Sequence, residues 1–131
     1  MMKETLIKQA VDIRKRAYVP YSKFAVGAAV RTHSGRIYTG CNIENASYPL
    51  ACCAERVAIF KAVSAGETEF LDMAIVADIQ RPIPPCGSCR QVMNEFFAKS
   101  TPIYLANLQH DIKTVTVEEL LPFSFQSSDL R

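Results

Sequence analysis

Two runs in the second half of the chain constrain the fold most: FLDMAIVAD at 70–78 and PIYLAN at 102–107. Both read as strands with apolar centres, where a sheet with one wet face would show strict alternation. Such strands need cover on both sides. Between them, after the stiff loop RPIPP, the stretch from Cys86 to about Ala98 reads as a helix. The first half supplies further cover. Leu6, Ala10, Ile13 and Ala17 recur at helical spacing, with Lys3, Lys8, Lys15 and Arg16 off that stripe, and Pro20 ends this helix at the latest. FAVGAAVRT and RIYTGCNI flank the turn HSG and predict a hairpin.

A second helix is predicted over 53–65, with Ala54, Val57, Ala58, Ala62 and Ala65 as its apolar positions and Gly66 as its stop. IKTVTV predicts a short strand and VEELLP a final helical turn. The order α-β-β-α-β-α-β-β predicts a three-layer α/β fold, a mixed sheet with helices on both faces. At 131 residues, one domain over 1–131 is expected.

Charge narrows the function classes. The net charge is +2, and the densest basic run, RKR at 14–16, falls on an amphipathic stretch and reads as a solvated helix face. Polyanion binding, and with it nucleic acid, is not suggested. The N-terminus lacks the apolar segment of a signal peptide and no stretch is long enough to span a membrane, so a cytoplasmic protein is expected. Five cysteines, an odd number, then argue for reduced thiols that are buried, metal-bound or reactive.

PCGSC places Cys86 and Cys89 three residues apart, on one side of a first helical turn whose unpaired N–H groups favour thiolate. A lone C-x-x-C is either a redox pair or half of a zinc site. No second C-x-x-C exists, and His33 and His110 lie in turn-like segments. Cys53, Cys86 and Cys89, each at the start of a predicted helix, offer three ligands and leave a fourth position open, as in a catalytic zinc site. Glu55, two residues past Cys53, then becomes a carboxylate beside the metal, able to move protons. A ligand, one residue, Glu, and a later P-C-x-x-C form the pattern of zinc-dependent base deaminases.

Each residue alone has a plainer interpretation. Cys41 reads as a core residue. Cys52 competes with Cys53 but lacks its spacing to Glu55. Glu55 by itself is a helix-start carboxylate favoured by the dipole. Three thiolates on a dication leave a net negative site, and Arg56 is the obvious compensating charge, with Arg90 a second candidate. A non-catalytic, zinc-stabilised domain would need a fourth protein ligand, most plausibly Cys41 or Cys52.

PYSKFAVGAA, GCNIENASY, CAERVAIFKA, PCGSCRQV and TVEELLPFSF together resemble the small homotetrameric cytidine deaminases, along nearly the whole chain. The resemblance implies the cytidine-deaminase fold, with a five-stranded mixed sheet between helices. It also implies one zinc ion per subunit on Cys53, Cys86 and Cys89, with Glu55 as proton shuttle. The implied reaction converts cytidine and 2′-deoxycytidine to uridine and 2′-deoxyuridine, with release of ammonia. Phe24 would pack against the pyrimidine and the backbone of Ala54 would help read it. Asn42 and Glu44 would bind the ribose, and Arg56 would hydrogen-bond a thiolate. Ala46, Tyr48 and Phe125 would complete pockets shared between subunits. On pattern alone, Phe24 and Phe125 read as core aromatics. A modified cytosine nucleoside as substrate would keep the same chemistry.

Overall fold

The computed structural model describes residues 2–130. A five-stranded sheet runs in the order β2-β1-β3-β4-β5, built from β1 (Val26–Thr32), β2 (Ile37–Cys41), β3 (Phe70–Ala77), β4 (Pro102–Asn107) and β5 (Ile112–Thr116). The hairpin pairs β1 with β2, Ala29 opposite Thr39. β1 is also antiparallel to β3, whereas β3 and β4 run parallel with Ile75 beside Leu105. The sheet is therefore mixed, and its helices lie on both faces: α1 (Met2–Arg14) on one, α2 (Ala54–Ser64) and α3 (Gly87–Phe96) on the other. A short α4 (Val117–Leu120) follows β5.

The two faces are packed differently. Under α2 and α3 the core is bulky, with Val30, Met73, Ile75 and Ile103 meeting Ile59 and Met93. Under α1 it is lean: Leu6 and Ala10 rest on Ala29, Ala74, Val76 and Ala106. Small strand residues let the helix approach closely. A Cβ on Gly27 would lie 2.0 Å from the Ala10 carbonyl oxygen, so no other residue fits there without moving α1. Gly40 does the same on the other face, where a Cβ would lie 2.5 Å from both the Ala54 oxygen and the Ala58 nitrogen. The first turn of α2 is thus pressed onto β2.

The α1 face also carries a buried ion pair. The Arg31 guanidinium grips Asp72 with Nε and Nη2 at 3.0 and 2.7 Å, and the Tyr104 hydroxyl donates to the same carboxylate. Desolvation and that bond push the Tyr104 phenol up to about 12.

The first helix stops earlier than its apolar stripe suggests. Ala17 lies beyond it, because Tyr18 is drawn into a bridge with Ile43: its N–H donates to the Asn42 carbonyl and its own carbonyl accepts from Glu44. Ile43 pairs in turn with Cys52 through two backbone bonds of 2.9 Å. This small ladder fixes the chain on the approach to Cys53.

Candidate active site

Cys53 and Cys86 occupy the same structural position, the residue before the first turn of a helix. Both have extended backbone, at φ/ψ of −73°/153° and −70°/165°. Their thiols do not cap their helices but turn toward each other, with sulfurs 3.6 Å apart. Cys89, fully buried in the first turn of α3, brings its sulfur to 3.3 Å from that of Cys86. All three sulfurs lie within 4.8 Å of one another. Zinc–sulfur bonds of about 2.3 Å in a tetrahedron set the ligands roughly 3.8 Å apart, so this donor set fits zinc. Among the described residues the metal-capable cluster comprises these three cysteines. Cys41 is buried at the end of β2 and Cys52 is half-buried, both outside that cluster.

The cluster is polarised. Hydrogen bonding with Cys89, Arg56 and Cys86 draws the Cys53 thiol down to about 5. Cys89 moves the opposite way, through its bond to Cys53 and its burial. Arg56 Nη2 donates to the Cys53 sulfur at 3.5 Å, and that bond, first among several, holds the guanidinium more firmly protonated. The second arginine is employed elsewhere. Arg90 Nε and Nη1 donate to the carbonyls of Pro85 and Leu120, at 2.8 and 2.9 Å, which ties α3 to α4. Glu55 sits in the first turn of α2 and is 5% exposed. Burial pushes its carboxyl up to about 7, with the Cys53 thiolate adding to the rise. A carboxyl in that range both accepts and returns a proton near neutral pH.

Of the remaining candidates Ala54 is buried, Asn42 and Glu44 are half-buried, and Phe24, Ala46, Tyr48 and Phe125 are exposed. Asn42 bridges two backbone groups, its amide donating to the Phe24 carbonyl at 2.8 Å while its oxygen accepts from Val26 N–H at 2.9 Å. Glu44 accepts from the N–H groups of Tyr21 and Ser22, both at 3.1 Å, and from the Ser22 hydroxyl. The hydroxyl bond, with those backbone bonds, lowers its pKa. Glu44 and Tyr48 line one cleft of about 310 Å³ with Tyr21, Ser22, Asn45 and Ala51. Ala46 is exposed in the bend before Tyr48, which is itself 78% exposed. Phe24 and Phe125 are surface aromatics, not core ones, at 37% and 58% exposure. The Phe125 carbonyl is held on α3 by the side chains of Gln91 and Asn94.

Residues 1–105 match the profile of the cytidine and deoxycytidylate deaminase zinc-binding region. The chain belongs to this deaminase family. It is 53% identical, over 99% of its length and 98% of the relative's, to a cytidine deaminase of Halalkalibacterium halodurans. A cytidine deaminase of Sporosarcina psychrophila is 54% identical over 97% of this chain and 93% of its own. A crystal structure of cytidine deaminase from Burkholderia pseudomallei superimposes with a TM-score of 0.93 at 46% identity, covering 95% of this chain and all of that one. The five-stranded sheet and its helices thus form the fold of this family.

Membership in the deaminase family makes sense of the two helix starts, but some of the site's supports were not anticipated from sequence. Tyr21 and Ser22, which grip Glu44, stand 23 and 22 positions before it. Gln91 and Asn94, on α3, hold the tail through the Phe125 carbonyl. Their only sequence signal is their three-residue spacing, which puts both on one face of α3.

Proposed function

We infer that this chain is a zinc-dependent cytidine deaminase, hydrolysing cytidine and 2′-deoxycytidine to uridine and 2′-deoxyuridine with release of ammonia. The observation that carries this reading is the meeting of three thiols from two helix starts beside a buried carboxylate, in a chain of the deaminase family. Cys53, Cys86 and Cys89 would hold zinc, which would supply a Lewis acid able to acidify water toward neutral pH. As a water oxygen bonds to C4 of the cytosine ring, Glu55 takes one of its protons and carries it to N3. Glu55 then takes the second proton from that oxygen and delivers it to the exocyclic nitrogen, so that the C4–N bond breaks, ammonia leaves and a C4 carbonyl remains. Arg56 offsets the thiolate charge through its bond to Cys53.

Around this centre Phe24 packs on the pyrimidine and the Ala54 backbone reads its edge. Asn42 and Glu44 receive the ribose hydroxyls, with donors and lone pairs left beyond their internal bonds. Ala46, Tyr48 and Phe125 complete pockets of neighbouring subunits in a homotetramer. The exposure of the Tyr48 and Phe125 rings in a single chain supports that sharing. Residues 1–131 act as one catalytic domain. A nucleoside is favoured over nucleic acid, since the Glu44 carboxylate would repel a 3′-phosphate and the net charge is only +2. None of the described helices is long and apolar enough to cross a membrane. Five unpaired thiols favour a reducing, cytoplasmic setting.

The test is the loss of cytosine absorbance when zinc-loaded protein meets cytidine, 2′-deoxycytidine or a cytosine-containing oligonucleotide. Both nucleosides should be consumed and the oligonucleotide spared. Full zinc loading with neither nucleoside converted would refute the assignment.

A further inference from the structure

The C-terminal tail is not simply draped over the surface. Asn94 Nδ2 and Gln91 Nε2 both donate to the Phe125 carbonyl, at 3.1 and 2.9 Å. The Ser124 hydroxyl donates to Asn94 Oδ1 at 3.0 Å, so Asn94 holds two successive residues. Just before this clamp, Phe123 adopts φ of 51°, a left-handed conformation unusual for a bulky residue, with its ring fully exposed. The tail is therefore held through the Phe125 carbonyl and the Ser124 hydroxyl while both of its phenylalanines stay exposed. The helix that holds it is α3, which also carries Cys89 and begins next to Cys86.

Exposed rings on a tail would ordinarily wander, and a ring that must stack on a base loses affinity to that freedom. We propose that Gln91 and Asn94 are positioning residues that fix the Phe125 backbone on α3 and so preset its ring as a wall of a neighbouring subunit's nucleoside pocket. This rests on the assignment of Phe125 to that pocket. The amides touch neither substrate nor metal. They act by fixing Phe125 at a set height along α3 of its own chain, so that the ring is presented to the neighbouring subunit's pocket in one place.

The experiment uses the full-length zinc enzyme with cytidine. It compares Asn94→Asp, the double variant Gln91→Ala/Asn94→Ala, Phe125→Ala, and the triple combination. Asn94→Asp keeps the side chain's shape and its acceptor for Ser124 while removing its N–H donors. The double variant, which removes all three hydrogen bonds of the clamp, should raise KM by at least about tenfold, the low end of what three such bonds are worth, and change kcat much less. Asn94→Asp should show part of that rise, with zinc content and thermal midpoint close to the parent's. In the triple variant, the amide substitutions should add nothing to the loss caused by Phe125→Ala. If Phe125→Ala impairs the enzyme but the amide variants are silent, or the losses simply add, the clamp is overturned while Phe125 keeps its role. If Phe125→Ala itself is silent, the assignment of Phe125 to the pocket fails and the clamp with it.

Discussion

Thr116 and Cys86 both stand one residue before a helix, in similar extended conformations. Thr116 closes its helix. Its hydroxyl accepts from the Glu119 N–H at 3.2 Å, and the Glu119 carboxylate accepts from the Thr116 N–H at 2.8 Å, a reciprocal capping box. Cys86, and Cys53 at the start of α2, make no such bond. A good cap is worth about 1 kcal/mol, so two helices of the deaminase forgo that stabilisation. In exchange, their first residues are free to turn toward one another across the α2–α3 junction. A local rule obeyed at α4 and broken twice at the thiols separates the part of the chain that only holds shape from the part that does chemistry.

The sharpest way to break this contrast is Cys86→Ser. Serine is the better cap, so local helix stability should gain, yet the variant should lose zinc and with it turnover and folded stability. Metal analysis alongside thermal unfolding checks this; a variant that keeps stoichiometric zinc would contradict it. Next in size is Arg56→Gln, which removes the bond to the Cys53 sulfur. Zinc affinity should fall by about 10- to 100-fold, read by competition with a chelator. The smallest effect is expected at the other kind of helix start. Thr116→Ala should cost about 1 kcal/mol in denaturant unfolding, with zinc content and kcat unmoved.

Legibility followed the same division. The apolar runs at 70–77 and 102–107 and the hairpin around Gly35 were readable because local pattern decides them. The convergence of Cys53, Cys86 and Cys89 was readable because each sits at a helix start at a telling distance from Glu55 or from its neighbour. Less readable was anything settled by a partner far along the chain. Helix α1 ends at Arg14 because Tyr18 is captured by the strand segment at Ile43. Arg90 looks like a thiolate partner beside Cys89, but the Leu120 carbonyl thirty residues away claims it. Phe24 and Phe125 pass for core residues by hydrophobicity, yet both are exposed. In the tail, backbone tethering to α3 rather than ring burial does the holding.

Zinc binding by the thiols and proton transfer by Glu55 are separated by measuring cytidine turnover and zinc content together in the parent and in Glu55→Gln. The variant should keep its zinc and lose at least about a hundredfold in kcat, the lower range for a positioned proton carrier. A variant that binds zinc and deaminates cytidine at the parent's rate would contradict that division of roles.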